Sequence, residues 1–571
     1  MEEFKLERTP DGDLLTVEKG GPDVLRYPLY NQGTGFSADE RARLSIEGAL
    51  PSQHNDIDTQ AERIYRSIFF NKDPVGRFIG LASLQDRNET LYYRVLHEHL
   101  EEAMPIVYTP TVGKASQYYS RVFRRSRGVF ITPDHKGRIE DVLRSSAPFS
   151  GVKLMVVTDN EAILGIGDQG AGGMAISIGK LALYCVGAGI HPVRTLPVSL
   201  DVGTNNQELL DDPLYLGWRQ KRLSGDEYLE IVDEFVAAAS KVFPGVVIQW
   251  EDFRKDNALM ILDRYRQALP SFNDDIQGTG AVASACIQAG CRVSGDDFSN
   301  SRIVIYGAGA AGLGIHRQLR EQLGRKGLTG DALTRAIVVM DSRGVVCDDR
   351  ESLDDYKQEM AWPAAMAAEL RLDDDGRKDL QQVVTAYKAT ALIGASGHGS
   401  AFDEGTVRAM CEHCDAPIIL PMSNPTSISE AVPEDLLSWT DGKALVATGS
   451  PFDAVDTGDG PRRIGQANNV FVFPGIGLGA IITDASEITD GMIAASANAL
   501  AEALSDDDIA EQNLVPDIGR LWKVCGDVAM AVARQAIADG VAAQAELDTL
   551  PARLEEYRWF PKYPRIVVAG D

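Results

Sequence analysis

Arg302-Ile-Val-Ile-Tyr306-Gly307-Ala-Gly309-Ala-Ala-Gly312 is the stretch that decides the fold. Its first five residues are rich in β-branched side chains and read as a buried strand, and the glycines then open a helix that runs toward Leu323. Gly307 permits the tight turn, Gly309 the close approach of a pyrophosphate to a helix N-terminus, and Gly312 the packing of that helix on the strand. A further strand is expected over residues 336–340 and ends on Asp341, an acid placed to bond an adenosine ribose. More strands are expected at 391–394, 418–421 and 444–447, with helical segments between them. Strands alternating with helices in this way predict an α/β fold, a doubly wound, Rossmann-like parallel sheet.

A second glycine loop competes for the same role. Gly165-Ile-Gly167-Asp-Gln-Gly170-Ala-Gly172-Gly173 follows the apolar segment 162–166 and precedes a helix, and Asp201 ends a strand expected at 195–200. By pattern alone this loop imitates the same dinucleotide fingerprint. The helix after it carries Lys180 within the apolar run 175–186. A lysine there must pair with an acid, lose its proton or snorkel to the surface.

Between the loops lies an acidic constellation. A short strand, 246–248, leads to Trp250-Glu-Asp-Phe253. A helix follows, with Ala258, Leu262, Tyr265 and Leu269 on one face, and its far end reaches Phe272-Asn-Asp-Asp-Ile-Gln-Gly-Thr-Gly280. Glu251, Asp252, Asp274 and Asp275 can thus meet at one end of a sheet, and three oxygens from such a group suit Mg²⁺ or Mn²⁺. Two solvated acidic turns would look the same locally.

Composition narrows the class. The chain of 571 residues is too long for one ordinary core, so two or three domains are expected. A net charge of −27 argues against nucleic acid and against anionic membranes as partners. The charged start of the chain lacks a secretory signal, and no apolar run is expected to approach membrane-spanning length. Seven scattered cysteines fit a reducing cytoplasm, and Cys411-Glu-His-Cys414 reads as a chance pairing at a helix end.

The remaining segments read as follows. A helical N-terminal cap is expected to about residue 100, with helices at 44–50, 61–70 and 77–99. Residues 105–108 read as extended, with Thr109-Pro110 starting a helix, so Tyr108 sits where a strand gives way to a helix. Asn424 in Ser423-Asn-Pro-Thr426, and Asn468 and Asn469, lie near strand ends, where open α/β sheets bind ligands. Residues 546–571 read as a wrapping tail, after domains at 1–276 and 277–545.

Seven motifs in order resemble the malic enzymes over nearly the whole chain: Ile106-Val-Tyr-Thr-Pro-Thr-Val-Gly113, Leu164-Gly-Ile-Gly-Asp-Gln-Gly170, Asp201-Val-Gly-Thr-Asn-Asn206, Trp250 to Phe253, Phe272 to Thr279, Ser423 to Thr426, and Gly465 to Asn469. The resemblance implies oxidative decarboxylation of L-malate to pyruvate and CO₂, using a nicotinamide cofactor and Mg²⁺ or Mn²⁺. It implies Glu251, Asp252 and Asp275 as metal ligands and Lys180 as the base for the C2 hydroxyl, with Asp274 as its partner. Tyr108 would be the acid that protonates C3. Gly307, Gly309, Gly312, Asp341, Ser396 and Asn424 would bind the cofactor, and Asn424, Asn468 and Asn469 the substrate or the nicotinamide ribose. The resemblance also makes Gly165 to Gly173 substrate-side scaffold, and it implies a homodimer or homotetramer.

One position departs from the family. Glu161-Ala162-Ile-Leu-Gly165 has alanine where most members have an arginine that holds a substrate carboxylate. A small residue here is shared with the malolactic enzymes, which form L-lactate with bound NAD, and Tyr108-Thr109-Pro110 favours the malic reading over that one. A non-catalytic binding protein on the same fold is the third reading, opposed by the intact Tyr108, Lys180 and acidic set. Asp341 favours NAD by charge, with NADP kept open by Arg343. Arg63 and Arg87 fall where some members bind fumarate, and structural ion pairs are expected for both.

Overall fold

A computed structural model describes residues 4–570 apart from 10, 11, 148, 164, 459 and 544, so Leu164 of the first glycine loop lies outside the described residues. The chain forms two compact units, residues 1–248 with 555–571, and residues 249–554.

In the first unit, strand Thr195–Leu200 lies between Val129–Ile131 and Leu154–Thr158, all parallel and almost wholly buried. Such strands are covered on both faces and so read as continuous apolar runs. Helix Met174–Leu183, extended by the π-turn Tyr184–Ala188, packs on this sheet. Gly170–Ala188 is long and apolar enough to cross a membrane by length and composition, which corrects the sequence reading, but 94% of that window is buried inside the protein.

The N-terminal region is not purely helical. It opens with a hairpin, Phe4–Thr9 and Gly12–Val17, and the third strand of that sheet is Arg565–Val568 from the other end of the chain. Leu15, Val17, Phe36, Leu44, Ile46 and Ile566 share its core. The helix expected at 44–50 is displaced to Ala38–Arg43, because Ser37 and Glu40 form a reciprocal cap and Ser45 then takes a left-handed φ of 58°. The helix expected at 61–70 is Ile57–Phe69, and the one expected at 77–99 is two helices, Pro74–Gln85 and Glu89–Glu98, because the Asn88 side chain caps the second.

Residues 105–108 are not extended. Helix Leu100–Val107 runs through Pro105, because burial of Ala103, Met104, Ile106 and Val107 outweighs the missing backbone donor. The next helix, Thr111–Gln117, starts without a threonine cap. Tyr108 therefore occupies the break between two helices rather than a strand end.

The second unit contains the doubly wound sheet. Its order is Gly344–Val345, Ile337–Asp341, Ile303–Tyr306, Ala391–Gly394, Ile418–Pro421, Leu445–Thr448 and Gly465–Gln466. The pairs are parallel except for the Gly344–Val345 edge. Val304, Val338, Leu392, Ile419 and Val446 share a core with Val383, Val407 and Leu436 of the helices on one face. On the other face a Cβ at Gly290 of helix Thr279–Ser294 would lie 2.5 Å from Ile418. The strand order reverses between Ile303–Tyr306 and Ala391–Gly394, and ligands bind at such switch points beyond the carboxyl ends of the strands.

Candidate active site

The acidic residues come together in the second unit. Strand Val247–Trp250 delivers Glu251 and Asp252 at its end, 3% and 6% exposed. Asp252 adopts a left-handed φ of 57°, a costly geometry for a non-glycine residue, and its N–H donates to Asp275 Oδ2 at 2.8 Å. Gln249 Nε2 donates to Glu251 Oε2 at 2.7 Å. One carboxylate oxygen from each of Glu251, Asp252 and Asp275 lies within 4.8 Å of the others. Oxygens on opposite sides of an octahedral Mg²⁺ lie about 4.2 Å apart, so this donor set fits such an ion with a small inward adjustment.

Asp274 is fully buried in the π-turn Asp274–Gly278. The amide of Asn469 donates to the Asp274 backbone oxygen at 3.2 Å, to Asp274 Oδ2 at 3.2 Å and to Thr279 Oγ1 at 3.1 Å. Asn469 thus braces the acidic turn, while Asn468 Oδ1 accepts from Val470 N at 2.9 Å and caps the turn that follows. Helix Ala310–Arg325 reaches the same turn, because Gly314 lets it within touching distance of Ile276: a Cβ there would lie 2.0 Å from the Ile276 oxygen.

Both glycine loops leave their middle glycine open, since nothing stands within 4 Å of a Cβ on Gly167 or on Gly309, and they differ at the glycines on either side. Gly307 has φ +132°, and a Cβ on it would lie 2.3 Å from the Ala395 oxygen. A Cβ on Gly312 would lie 1.9 Å from the Gly307 oxygen, whereas nothing stands within 4 Å of that position on Gly309. The cradle is closed at its base and open at its mouth, as a pyrophosphate site requires. In the first loop the segment before the glycines has, among the described residues, a single bridge, Ile163 to Gly167. A Cβ on Gly170 would meet the Tyr215 hydroxyl at 2.0 Å, and one on Gly173 the Asn160 amide at 2.2 Å. Those glycines make room for side chains of their own unit. Asp168 anchors the loop: it accepts from Arg222 at 2.8 and 3.1 Å, from Thr204 Oγ1 at 2.8 Å and from Asn205 N at 2.8 Å.

Lys180, at 1% exposure, does not snorkel, and its Nζ lies 5.1 Å from the centroid of the Tyr108 ring. The close pairing depends on a residue the sequence reading passed over. A Cβ on Gly179 would lie 2.3 Å from the Val107 oxygen, so only glycine lets this helix approach the chain just before Tyr108.

Asp341 ends strand Ile337–Asp341 as expected, with its carboxylate engaged by neighbours. Oδ1 accepts from Arg350 Nη1 at 2.8 Å and from Arg343 N at 2.9 Å, and Oδ2 from Lys357 Nζ at 2.7 Å. Burial opposes its ionisation, but the hydrogen bonds from Lys357 and Arg350 hold its pKa down at about 2. Asn424 Oδ1 accepts from Ser450 Oγ at 3.1 Å. Ser396 is exposed at the end of strand Ala391–Gly394. Arg63 and Arg87 make no ion pair among the described residues: Arg87 donates to Ser83 Oγ at 3.3 Å, and burial, then the charge of Arg63, holds it below the usual guanidinium range. The expectation of structural ion pairs at both is corrected accordingly.

A sequence model described as "Malic enzyme, N-terminal domain" matches residues 85–266, and one described as "Malic enzyme, NAD binding domain" matches residues 276–537. The chain belongs to the malic enzyme family. It is 44% identical to an NAD-dependent malic enzyme of Pseudomonas aeruginosa over 96% of this chain and 97% of that one. It is 45% identical to an NAD-dependent malic enzyme of Sodalis glossinidius, again over 96% and 97% of the two chains. Among solved structures, the malic enzyme of Entamoeba histolytica superposes with a TM-score of 0.55 at 23% identity, covering 90% of this chain and 92% of the other. That of Pyrococcus horikoshii superposes with a TM-score of 0.53 at 22% identity, covering 80% and 89%. At these identities the structures bear on the fold alone, which is the malic enzyme fold.

Proposed function

We infer that this malic enzyme family member oxidises L-malate with NAD and decarboxylates it to pyruvate and CO₂. The observation that carries the reading is the cradle of buried Glu251 and Asp252 with half-buried Asp275, held in the same unit as a glycine loop open at Gly309. Glu251, Asp252 and Asp275 would hold a divalent cation, which would supply Lewis-acid chemistry at the C2 oxygen, and bound NAD would supply the acceptor for the C2 hydride. The chain supplies the proton chemistry. Lys180, desolvated in its helix, takes the proton of the C2 hydroxyl, and Asp274, braced by Asn469, supports its charge balance. Tyr108, whose phenolic O–H is a proton donor, delivers the proton to C3 after CO₂ leaves. Gly307, Gly309, Gly312, Asp341 and Ser396 bind NAD, Asn424 serves cofactor and substrate, and Asn468 and Asn469 order the substrate side.

The proposed division of labour follows residues 1–276 for substrate and metal, 277–545 for NAD, and 546–571 as the tail. The enzyme acts in the cytoplasm, in keeping with free thiols at Cys185, Cys286, Cys291, Cys347, Cys411, Cys414 and Cys525, and assembles as a homodimer or homotetramer.

The test is turnover of L-malate with Mn²⁺ and either NAD or NADP, with identification of the acid formed. Pyruvate in step with NADH is expected, and it would show that Ala162 leaves malate binding intact. Lactate without net NADH would move the chain to malolactic chemistry, and neither product would leave only binding.

A further inference from the structure

Glu430 has no part in the roles assigned so far, yet it is fully buried at the carboxyl ends of two strands of the cofactor sheet. Its Oε1 accepts from Ser396 N at 2.9 Å, Ser396 Oγ at 2.9 Å and Ser423 Oγ at 2.5 Å, and its Oε2 from Ser423 N at 3.2 Å. Among the described residues it forms no ion pair, so a buried carboxylate is held by hydroxyl and backbone donors alone. Desolvating a carboxylate is costly, and hydrogen bonds to the charged form are what offset it.

The donors come from two different loops. Ser396 follows strand Ala391–Gly394, and Ser423 follows Ile418–Pro421 and immediately precedes Asn424. Further bonds knit the same loops: Gly397 N donates to Ser423 Oγ at 2.9 Å and His398 N to Ser396 Oγ at 3.0 Å. The first of these loops also abuts the glycine cradle, since a Cβ on Gly307 would strike the Ala395 oxygen at 2.3 Å. Gly394 makes room for the acid, because a Cβ there would lie 2.4 Å from Glu430 Cδ.

We propose that Glu430 is a positioning residue for the cofactor: one buried carboxylate clamps the Ser396 and Ser423-Asn424 loops together at the mouth of the switch point. This rests on the NAD reading of the unit. A carboxylate suits the role because it only accepts, and four donors converge on it. Glutamine has the same size, but its amide N–H groups would face Ser N–H or O–H donors.

The experiment is NAD titration of full-length protein by calorimetry, without malate, alongside Mn²⁺ titration by electron paramagnetic resonance and a thermal melt. Glu430→Gln is expected to weaken NAD about tenfold while Mn²⁺ affinity at Glu251, Asp252 and Asp275 stays within twofold of wild type. Ser423→Ala removes one donor and keeps the acid, and it is read in the same way if Glu430→Gln fails to fold. It is expected to weaken NAD about threefold. NAD affinity within twofold of wild type in the folded variants would overturn the clamp. So would a parallel loss of NAD and Mn²⁺ affinity, the mark of a general structural role. Wild-type protein that binds Mn²⁺ but not NAD would instead overturn the cofactor reading itself, and the clamp with it.

Discussion

The two glycine loops share a sequence pattern, and in each the middle glycine, Gly167 or Gly309, faces open space; they differ in what the other glycines face. At Gly170 and Gly173 the missing Cβ is replaced by a side chain of the same unit, Tyr215 or Asn160. At Gly307 and Gly312 it is replaced by backbone, the Ala395 and Gly307 oxygens. The first loop is scaffold, pinned by the pair of half-buried Asp168 and buried Arg222, and it launches the helix that carries Lys180. The second packs on backbone at both ends and opens helix Ala310–Arg325. A spacing of glycines specifies where the backbone approaches closely, and the surrounding fold specifies what it approaches.

The sharpest way to break this contrast lies in the helix beyond the first loop. Lys180→Ala is expected to lower kcat about 10³-fold, roughly 4 kcal/mol, with NAD affinity unchanged by calorimetry. Weaker NAD binding in this variant would mean that the first loop takes part in holding the cofactor.

Next comes the anchor of the scaffold. Arg222→Leu leaves Asp168 partly buried without its guanidinium, and unfolding in urea is expected to show a loss of about 3 kcal/mol. The folded fraction should still bind NAD normally; a variant as stable as wild type would remove the loop's claim to be pinned by this pair.

Gly309→Ala reverses the pattern. Its Cβ meets no protein atom, so the melting temperature should hold, while NAD affinity falls about tenfold, or about 1.4 kcal/mol. An unaltered NAD affinity would mean that the open space at Gly309 is not where the cofactor lies.

The smallest effect is in pH. Asp341 has a folded pKa near 2, below its ordinary 3.8, so its pairing with Lys357 and Arg350 adds stability above about pH 4 and loses it as pH falls through 2. The melting-temperature gap between wild type and Asp341→Asn should therefore narrow from pH 5 to pH 2. A gap that is constant over this range would show that the charge of Asp341 does not matter to the second loop's neighbourhood.

Much of this was legible in the chain. The strands near 303, 337, 391, 418 and 445 stand where β-branched runs said they would, because such runs are local and have one good solution in a covered parallel sheet. The convergence of Glu251, Asp252 and Asp275 followed from a strand, a helix and a return. Other features were illegible because their partners are remote. Arg565–Val568 completes a sheet begun by Gly12–Val17, and no local pattern marks two strands separated by nearly the whole chain. Pro105 argued against a helix locally and was overridden by burial on either side of it. Arg350 and Lys357 were ordinary surface cations until the fold set them on Asp341.

The sequence by itself determined the family, the doubly wound sheet and the candidate acids and bases, since these reside in short motifs and in periodicity. Only the tertiary structure decided what the flanking glycines of each loop pack against, that Lys180 is desolvated against Tyr108, and that Glu430 ties two loops together. Each of those depends on which atoms fill the space next to a residue, and that space is shaped by chain segments far away in sequence.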